Sequence, residues 1–178
     1  MPFPSTDATL LDLQVGGTTV TGFDKKTFSY SVILPYGTLN APVITPIVNE
    51  SHATTVITQA SSVTGTATVV VTAQDGTTKI TFTISFSVAL PLTDATLSDL
   101  KIGATTVSGF AANTIIYNVL LLSGTTTVTL VAATVTEPHA VVVITQSTSV
   151  TGSAKVVVTA QNGSTIKTYT INFWFLQV

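Results

Sequence analysis

Apolar and polar residues alternate along most of this chain with a period of two, the period that sends successive side chains to opposite faces of a β-strand. The run "TATVVVTAQDGTTKITFTISF" (residues 66–86) carries the clearest signal. Phe82, Ile84 and Phe86 fall on one face there, and Thr81, Thr83 and Ser85 on the other. Asp75-Gly76 at its centre predicts a hairpin through a type I′ turn, since both residues tolerate positive φ and the turn's twist matches the strands it joins. "FSYSVIL" puts Phe28, Tyr30, Val32 and Leu34 on one side and Ser29 and Ser31 on the other. "ATLLDLQV" alternates Leu11, Leu13 and Val15 with Asp12 and Gln14. Further strands are expected near Val43–Val48 and Thr55–Thr58, and no helical period of useful length interrupts them.

The same pattern then occurs again. Asp7 falls on Asp94, Phe23 on Phe110, Tyr30 on Tyr117, His52 on His139 and Phe86 on Phe173, a constant shift of 87 positions that needs no gap. Roughly half of the paired residues are identical. Internal repetition of this kind marks repeated structural units. The expected organisation is a first β-sandwich over residues 6–87, a short Pro-containing linker at 88–92, and a second β-sandwich over 93–178. About seven short strands in each copy, separated by Gly, Pro, Asn and Ser turns, predict an antiparallel sandwich, because a lone sheet of that size could not cover its apolar face. Pro91 fixes φ in the linker and removes a donor, which predicts an extended head-to-tail rod. "MPFPS" mirrors the linker, so the sequence reads as a segment of a longer array.

Composition narrows the function. Charged residues make up 8% of the chain, there is no Arg, and the net charge is −2. No cluster of cations is present to neutralise phosphates, which argues against nucleic acid. Thr, Ser or Gly interrupts every run long enough to span a membrane. The chain has no Cys, so disulfides and thiolate metal sites are excluded. Thr supplies about a fifth of the residues. It favours extended backbone and keeps a strand's outer face wettable without charge.

The segments "DATLSDLKIGATTVSGF", "YNVLL", "GTTTVTLVAATVTEPHAVVVIT" and "VTGSAKVVVTAQNGSTIKTYTINF" together resemble the bacterial cadherin-like β-sandwich repeat, and the likeness covers nearly all of both copies. The resemblance implies an immunoglobulin-like module, found in tandem in large extracellular bacterial proteins beside enzymes and surface-anchoring domains. Such modules serve mostly as spacers, stalks or adhesive units, with no catalytic activity typical of the fold.

The candidate chemistry is sparse. Glu50-x-His52 and Glu137-x-His139 offer two potential metal ligands each, where a zinc site needs at least three from the protein. Their simpler reading is a polar loop preceding a strand. Asp7, Asp12, Asp94 and Asp99 invite comparison with calcium at domain junctions, but six to eight oxygens are required, and a strand-start residue bonding backbone explains Asp7 and Asp94. Asn49-Glu50-Ser51 and Asn162-Gly163-Ser164 match the N-glycosylation triplet, and Asn162 already has a turn to explain it. No nucleophile–base pair and no cofactor loop is visible. At the end of the second copy, Trp174-Phe175-Leu176 replaces Ser87-Val88-Ala89, and Trp174 is the chain's one Trp.

These readings predict an all-β chain of two tandem immunoglobulin-like antiparallel sandwiches, non-enzymatic, extracellular or cell-surface, with no catalytic, cofactor or metal residues. The expected role is a rigid spacer, stalk or self-assembling subunit. Its partners would be other copies of itself or neighbouring repeats of a larger surface protein. The alternatives are a carbohydrate-binding or adhesive module, with Trp174, Phe175, Leu176 or a loop aromatic such as Tyr36 meeting glycan, and an immunoglobulin-like decoration or tail protein of a virus particle.

Overall fold

The computed structural model describes residues 3–127 and 129–175. They form strands and connecting loops with no helix, in two units, Met1–Leu90 and Pro91–Val178. Unit 1 contains β1 (Leu10–Val15), β2 (Thr18–Thr19), β3 (Ser29–Leu34), β4 (Ile44–Val48), β5 (Thr54–Thr58), β6 (Thr66–Thr72) and β7 (Lys79–Val88). Unit 2 repeats the order as β8 (Leu97–Ile102), β9 (Thr105–Thr106), β10 (Ile116–Leu121), β11 (Val131–Val135), β12 (Val141–Thr145), β13 (Ser153–Thr159) and β14 (Ile166–Phe175). Each unit has a three-stranded sheet, β2-β1-β4 or β9-β8-β11, and a four-stranded sheet, β3-β7-β6-β5 or β10-β14-β13-β12.

The two sheets of a unit share one core. In unit 1, Leu10, Leu13 and Ile44 come from the smaller sheet and Val69, Val71, Phe82 and Ile84 from the larger, all essentially without solvent contact. Burying a side chain of this kind stabilises by about 1.5–3 kcal/mol, so the inward face holds the fold together. Of the fourteen buried core residues of unit 1, twelve recur unchanged in unit 2; Val131 replaces Ile44 and Tyr169 replaces Phe82.

Three details differ from the pattern-based expectation. The pairing is antiparallel except that β3 runs parallel to β7, and β10 to β14. A parallel pair needs a long crossover, and the chain between β3 and β7 supplies one by building three other strands on the way. Leu11 is not a core residue but 64% exposed, while Leu10 is buried. A bulge in the β1–β4 register between Leu10 and Asp12 inserts one residue and turns Leu11 outward; its counterpart in unit 2 is Ser98. The Asp75-Gly76 turn is not type I′, because only Gly76 has positive φ (72°). Ala73 and Thr78 close a longer loop, with the Gly76 N–H donating to the Ala73 carbonyl. Asp75 instead accepts from the Thr77 and Thr78 amides through Oδ1 and from the Thr78 hydroxyl through Oδ2. Asn162 does the same work in unit 2, accepting from the Ser164 and Thr165 amides.

Side chains common to both copies tie the loops down. The Tyr30 hydroxyl donates to the Asp24 carbonyl and accepts from its amide, and Tyr117 treats Ala111 identically. Because only backbone is used, Asp24 can become Ala111 without loss. Gln59 accepts from Ile44 N and donates to Ile44 O, as a neighbouring strand would; Gln146 holds Val131 in the same way. The turn between the last two strands also holds the start of its unit. Ser5 N donates to Gln74 and Ser5 O accepts from Asp75 N, and in unit 2 Leu92 is held by Gln161 and Asn162. Strand β7 reaches Val88, inside the stretch assigned to the linker, and Ala89 N donates to the Leu34 carbonyl.

Candidate functional site

The His–Glu pairs lie in the turns joining β4 to β5 and β11 to β12. Glu50 accepts from the His52 amide (3.0 Å) and lies 2.8 Å from its Nδ1; Glu137 and His139 repeat this at 3.0 and 2.7 Å. The His52 hydrogen bond holds the Glu50 carboxyl below its usual range. For Glu137, burial works to raise it, and the bonds from His139 outweigh that and lower it. Each pair closes its own turn, and no third ligand stands near: no group of three or more His, Asp or Glu able to hold a metal occurs among the described residues.

The four singled-out aspartates bond locally too. Asp7 accepts from the Thr9 hydroxyl and amide and from the Asn49 side chain, which lowers its carboxyl. Thr96, side chain and then amide, also lowers Asp94, its amide donating to Oδ1, with Thr136 standing where unit 1 has Asn49. Asp12 takes Leu13 N, Gln14 and Thr19, and Asp99 takes Thr106 and Lys101. Asn49, in the first glycosylation triplet, donates its amide to Asp7. These carboxylates shape strand starts and hairpins within one unit.

Two surfaces remain. The first is a groove in each unit between the open edge of the small sheet (β2 or β9) and the open edge of the large sheet (β3 or β10), with volumes of about 380 Å³ in unit 1 and 630 Å³ in unit 2. Thr18, Val20 and Ile33 line the first, and Thr105, Val107 and Leu120 the second. No ionisable side chain other than Tyr117 lines either, so the grooves offer shape, hydroxyls and, in unit 2, the Asn118 amide, but no charge.

The second surface is the outward face of the four-stranded sheet, where the copies part. In unit 2 the register sets Leu120 beside Trp174, Asn118 beside Asn172, and Asn172 beside Ser153. Two residues further along, Ile116, Thr170 and Lys155 share a row. The polar row is bonded: Ser153 Oγ donates to Asn172 Oδ1 (2.7 Å), and Asn172 Nδ2 donates to Asn118 Oδ1 (3.1 Å). Trp174 is 45% exposed, with Leu120, Asn118 and Lys155 also exposed. Phe175 is the next residue, on the opposite side of the strand and partly buried; Leu176 lies outside the described residues. In unit 1 the matching places hold Ser87 for Trp174, Ser31 for Asn118, Ser85 for Asn172, Thr66 for Ser153 and Thr68 for Lys155. Tyr36, in the turn after β3, is 49% exposed and becomes Ser123 in unit 2, so the loop aromatic is not a shared feature.

Of the residues expected at a contact surface, Trp174 thus stands at the head of a polar row. Asn118, Asn172, Ser153 and Lys155 were not anticipated. The signal that finds them is the repeat itself, read only at the outward positions of the large sheet.

The described residues form two all-β, sandwich-like units, each with its own core. Parts of the chain are similar to two much longer enzymes. Over 90 residues, half of the chain, it is 40% identical to a gellan lyase of a Bacillus species, and over 114 residues, 62% of the chain, it is 32% identical to an exo-beta-1,6-galactobiohydrolase of Bifidobacterium longum subsp. longum. The matched segments amount to 4% and 7% of those proteins. No family model and no solved structure matches the chain.

Proposed function

We propose that the chain is a non-catalytic accessory segment of extracellular carbohydrate-active proteins, two β-sandwich units that space or position a partner domain at a polysaccharide. The observation that supports this most is one of proportion. Two enzymes named for polysaccharide and galactoside chemistry contain a similar segment, yet it is a few per cent of each. Catalysis needs a base, a nucleophile, paired carboxylates or a metal, and here every carboxylate discussed above is hydrogen-bonded within its own unit at a strand start, turn or hairpin. The resemblance to the bacterial cadherin-like repeat belongs to the same reading, since such repeats accompany enzymes in secreted proteins. The spacer role draws on sparsely charged, Thr-rich outer faces and on cores copied almost without change.

Incubating the purified chain with gellan and with a β-1,6-linked galactan tests the absence of catalysis. No new reducing ends or unsaturated products are expected, and turnover of either polymer would contradict the reading. Self-assembly is a second reading, favoured by the open, uncharged edges of β3 and β10. Electron microscopy over a concentration series would display filaments or sheets if it holds, and single particles at every concentration if it does not.

A further inference from the structure

Unit 1 demonstrates what this fold requires of the outward face of its large sheet: Ser31, Ser85, Ser87, Thr66 and Thr68 suffice. Unit 2 builds the same sheet around a nearly identical core but places Asn118, Asn172, Trp174, Ser153 and Lys155 there. The core does not require the exchange, because nearly the same inward residues pack in both units. Lys155 in place of a β-branched Thr even gives up some strand preference. What the exchange adds is recognition chemistry arranged in a line.

We propose that this face of unit 2 binds an extended polysaccharide chain carrying carboxylate groups. The inference rests on the reading of the chain as a carbohydrate-associated module and assigns the contact surface and ligand class within it. Trp174 offers a rigid aromatic face with Leu120 beside it, the kind of surface that covers the C–H face of a sugar ring while costing little side-chain entropy. The Ser153–Asn172–Asn118 row presents amides already fixed by their mutual hydrogen bonds, so less freedom is lost when hydroxyls bind. Asn118, at the exposed end of that row, supplies both donor and acceptor. Lys155 lies about 13 Å along the strand direction from Trp174 and one strand across, a span of a few sugar residues. It is the face's one cation, and no Asp or Glu occupies an outward position on β10, β12, β13 or β14. An anionic chain laid from Trp174 toward Lys155 therefore meets an aromatic platform, a hydrogen-bonding row and a positive charge in sequence.

The test is affinity electrophoresis of the whole chain in native gels containing gellan, a uronate-bearing polymer, or a neutral β-1,6-galactan. The variants are Trp174→Ser, Asn172→Ser and Lys155→Thr, each restoring what unit 1 carries at that position, with melting temperature as the check on folding. Retardation by gellan is expected, weakened at least tenfold by Trp174→Ser and several-fold by Asn172→Ser. Lys155→Thr is expected to weaken it several-fold and to remove most of its salt sensitivity. Equal retardation of wild type and folded variants would overturn the proposal while leaving a glycan contact elsewhere on the module. Preference for the neutral galactan, indifferent to Lys155→Thr, would overturn the assigned ligand class. No retardation by either polymer would overturn the binding face and leave only the spacer role. Polymer breakdown in the separate turnover assay is what would end the accessory reading itself.

Discussion

The inward and outward faces of the two units differ in opposite ways. Inside, Leu10, Leu13, Tyr30, Val69, Val71, Ile84 and Phe86 of unit 1 return as Leu97, Leu100, Tyr117, Val156, Val158, Ile171 and Phe173. Outside, on the large sheet, Ser31, Thr66, Thr68, Ser85 and Ser87 of unit 1 become Asn118, Ser153, Lys155, Asn172 and Trp174 in unit 2, while unit 1 keeps Ile33 and Lys79 exposed on its own face. Close packing explains the first observation, because a core is sensitive to a change of a single methylene. The second has no such constraint behind it, since exposed positions away from caps and turns seldom move stability by more than about 0.5 kcal/mol. The two copies thus separate what the fold needs from what one unit has added to it.

The comparison can be broken most forcefully in the core. Ile84→Ala in unit 1 and Ile171→Ala in unit 2 remove equivalent, fully buried side chains. Each is expected to destabilise its own unit by about 2–5 kcal/mol. Denaturant unfolding followed by amide signals from each unit should give similar losses, and a large disparity would mean that the cores are less alike than they look.

A smaller effect is expected where the cores do differ. Phe82 meets Phe28 edge-on, with ring centroids 5.5 Å apart. In unit 2 Ile115 stands for Phe28, and the Tyr169 hydroxyl donates to the Ala112 carbonyl and accepts from Leu97 N. Burial also raises the Tyr169 phenol above its ordinary pKa. Tyr169→Phe leaves the Leu97 amide without this acceptor and should cost about 1–3 kcal/mol. Gln146→Ala, which strands Val131 N and O, should cost a similar amount, and thermal melts would read both.

The hairpin turns supply a pH-dependent contrast. Hydrogen bonds from Thr78, side chain then amide, and from Thr77 lower the Asp75 carboxyl from 3.8 to about 2. A carboxyl lowered on folding contributes stability that is fully present above its unfolded pKa and is lost as pH falls through its folded one. Unit 1 should therefore loosen at this turn between about pH 4 and 2. Asn162 cannot titrate, so the equivalent turn of unit 2 lacks this contribution. Asp75→Asn should remove the difference, as followed by amide exchange of Thr77 and Thr78 across an acid titration.

The smallest stability effect belongs to the outer face. Trp174→Ser should leave the melting temperature nearly unchanged, in contrast to its large expected effect on polysaccharide retention. A substantial drop in melting temperature would assign Trp174 to packing instead.

Much of the all-β architecture is legible in the sequence. Period-two alternation pointed to the longer strands, because it follows from backbone geometry, and the two-residue β2 and β9 are too short to show it. Alternation misplaced Leu11 for a physical reason: a bulge adds a residue that strict period two does not count. Asp75-Gly76 suggested a two-residue turn, but the Asp side chain instead captures two amides and a hydroxyl of a longer loop. The candidate site was legible only at Trp174. Asn118 and Asn172 are 54 residues apart and meet through the parallel β10–β14 pairing, which pattern alone did not predict.

The most direct test of the account is an amide and indole NMR titration of the whole chain with short uronate-bearing oligosaccharides. Shifts concentrated at the Trp174 indole, the Asn118 and Asn172 side-chain amides and the backbone around Lys155 are predicted, with Ser31, Ser85 and Ser87 of unit 1 unmoved. Equal shifts on both units, or shifts confined to unit 1, would contradict it.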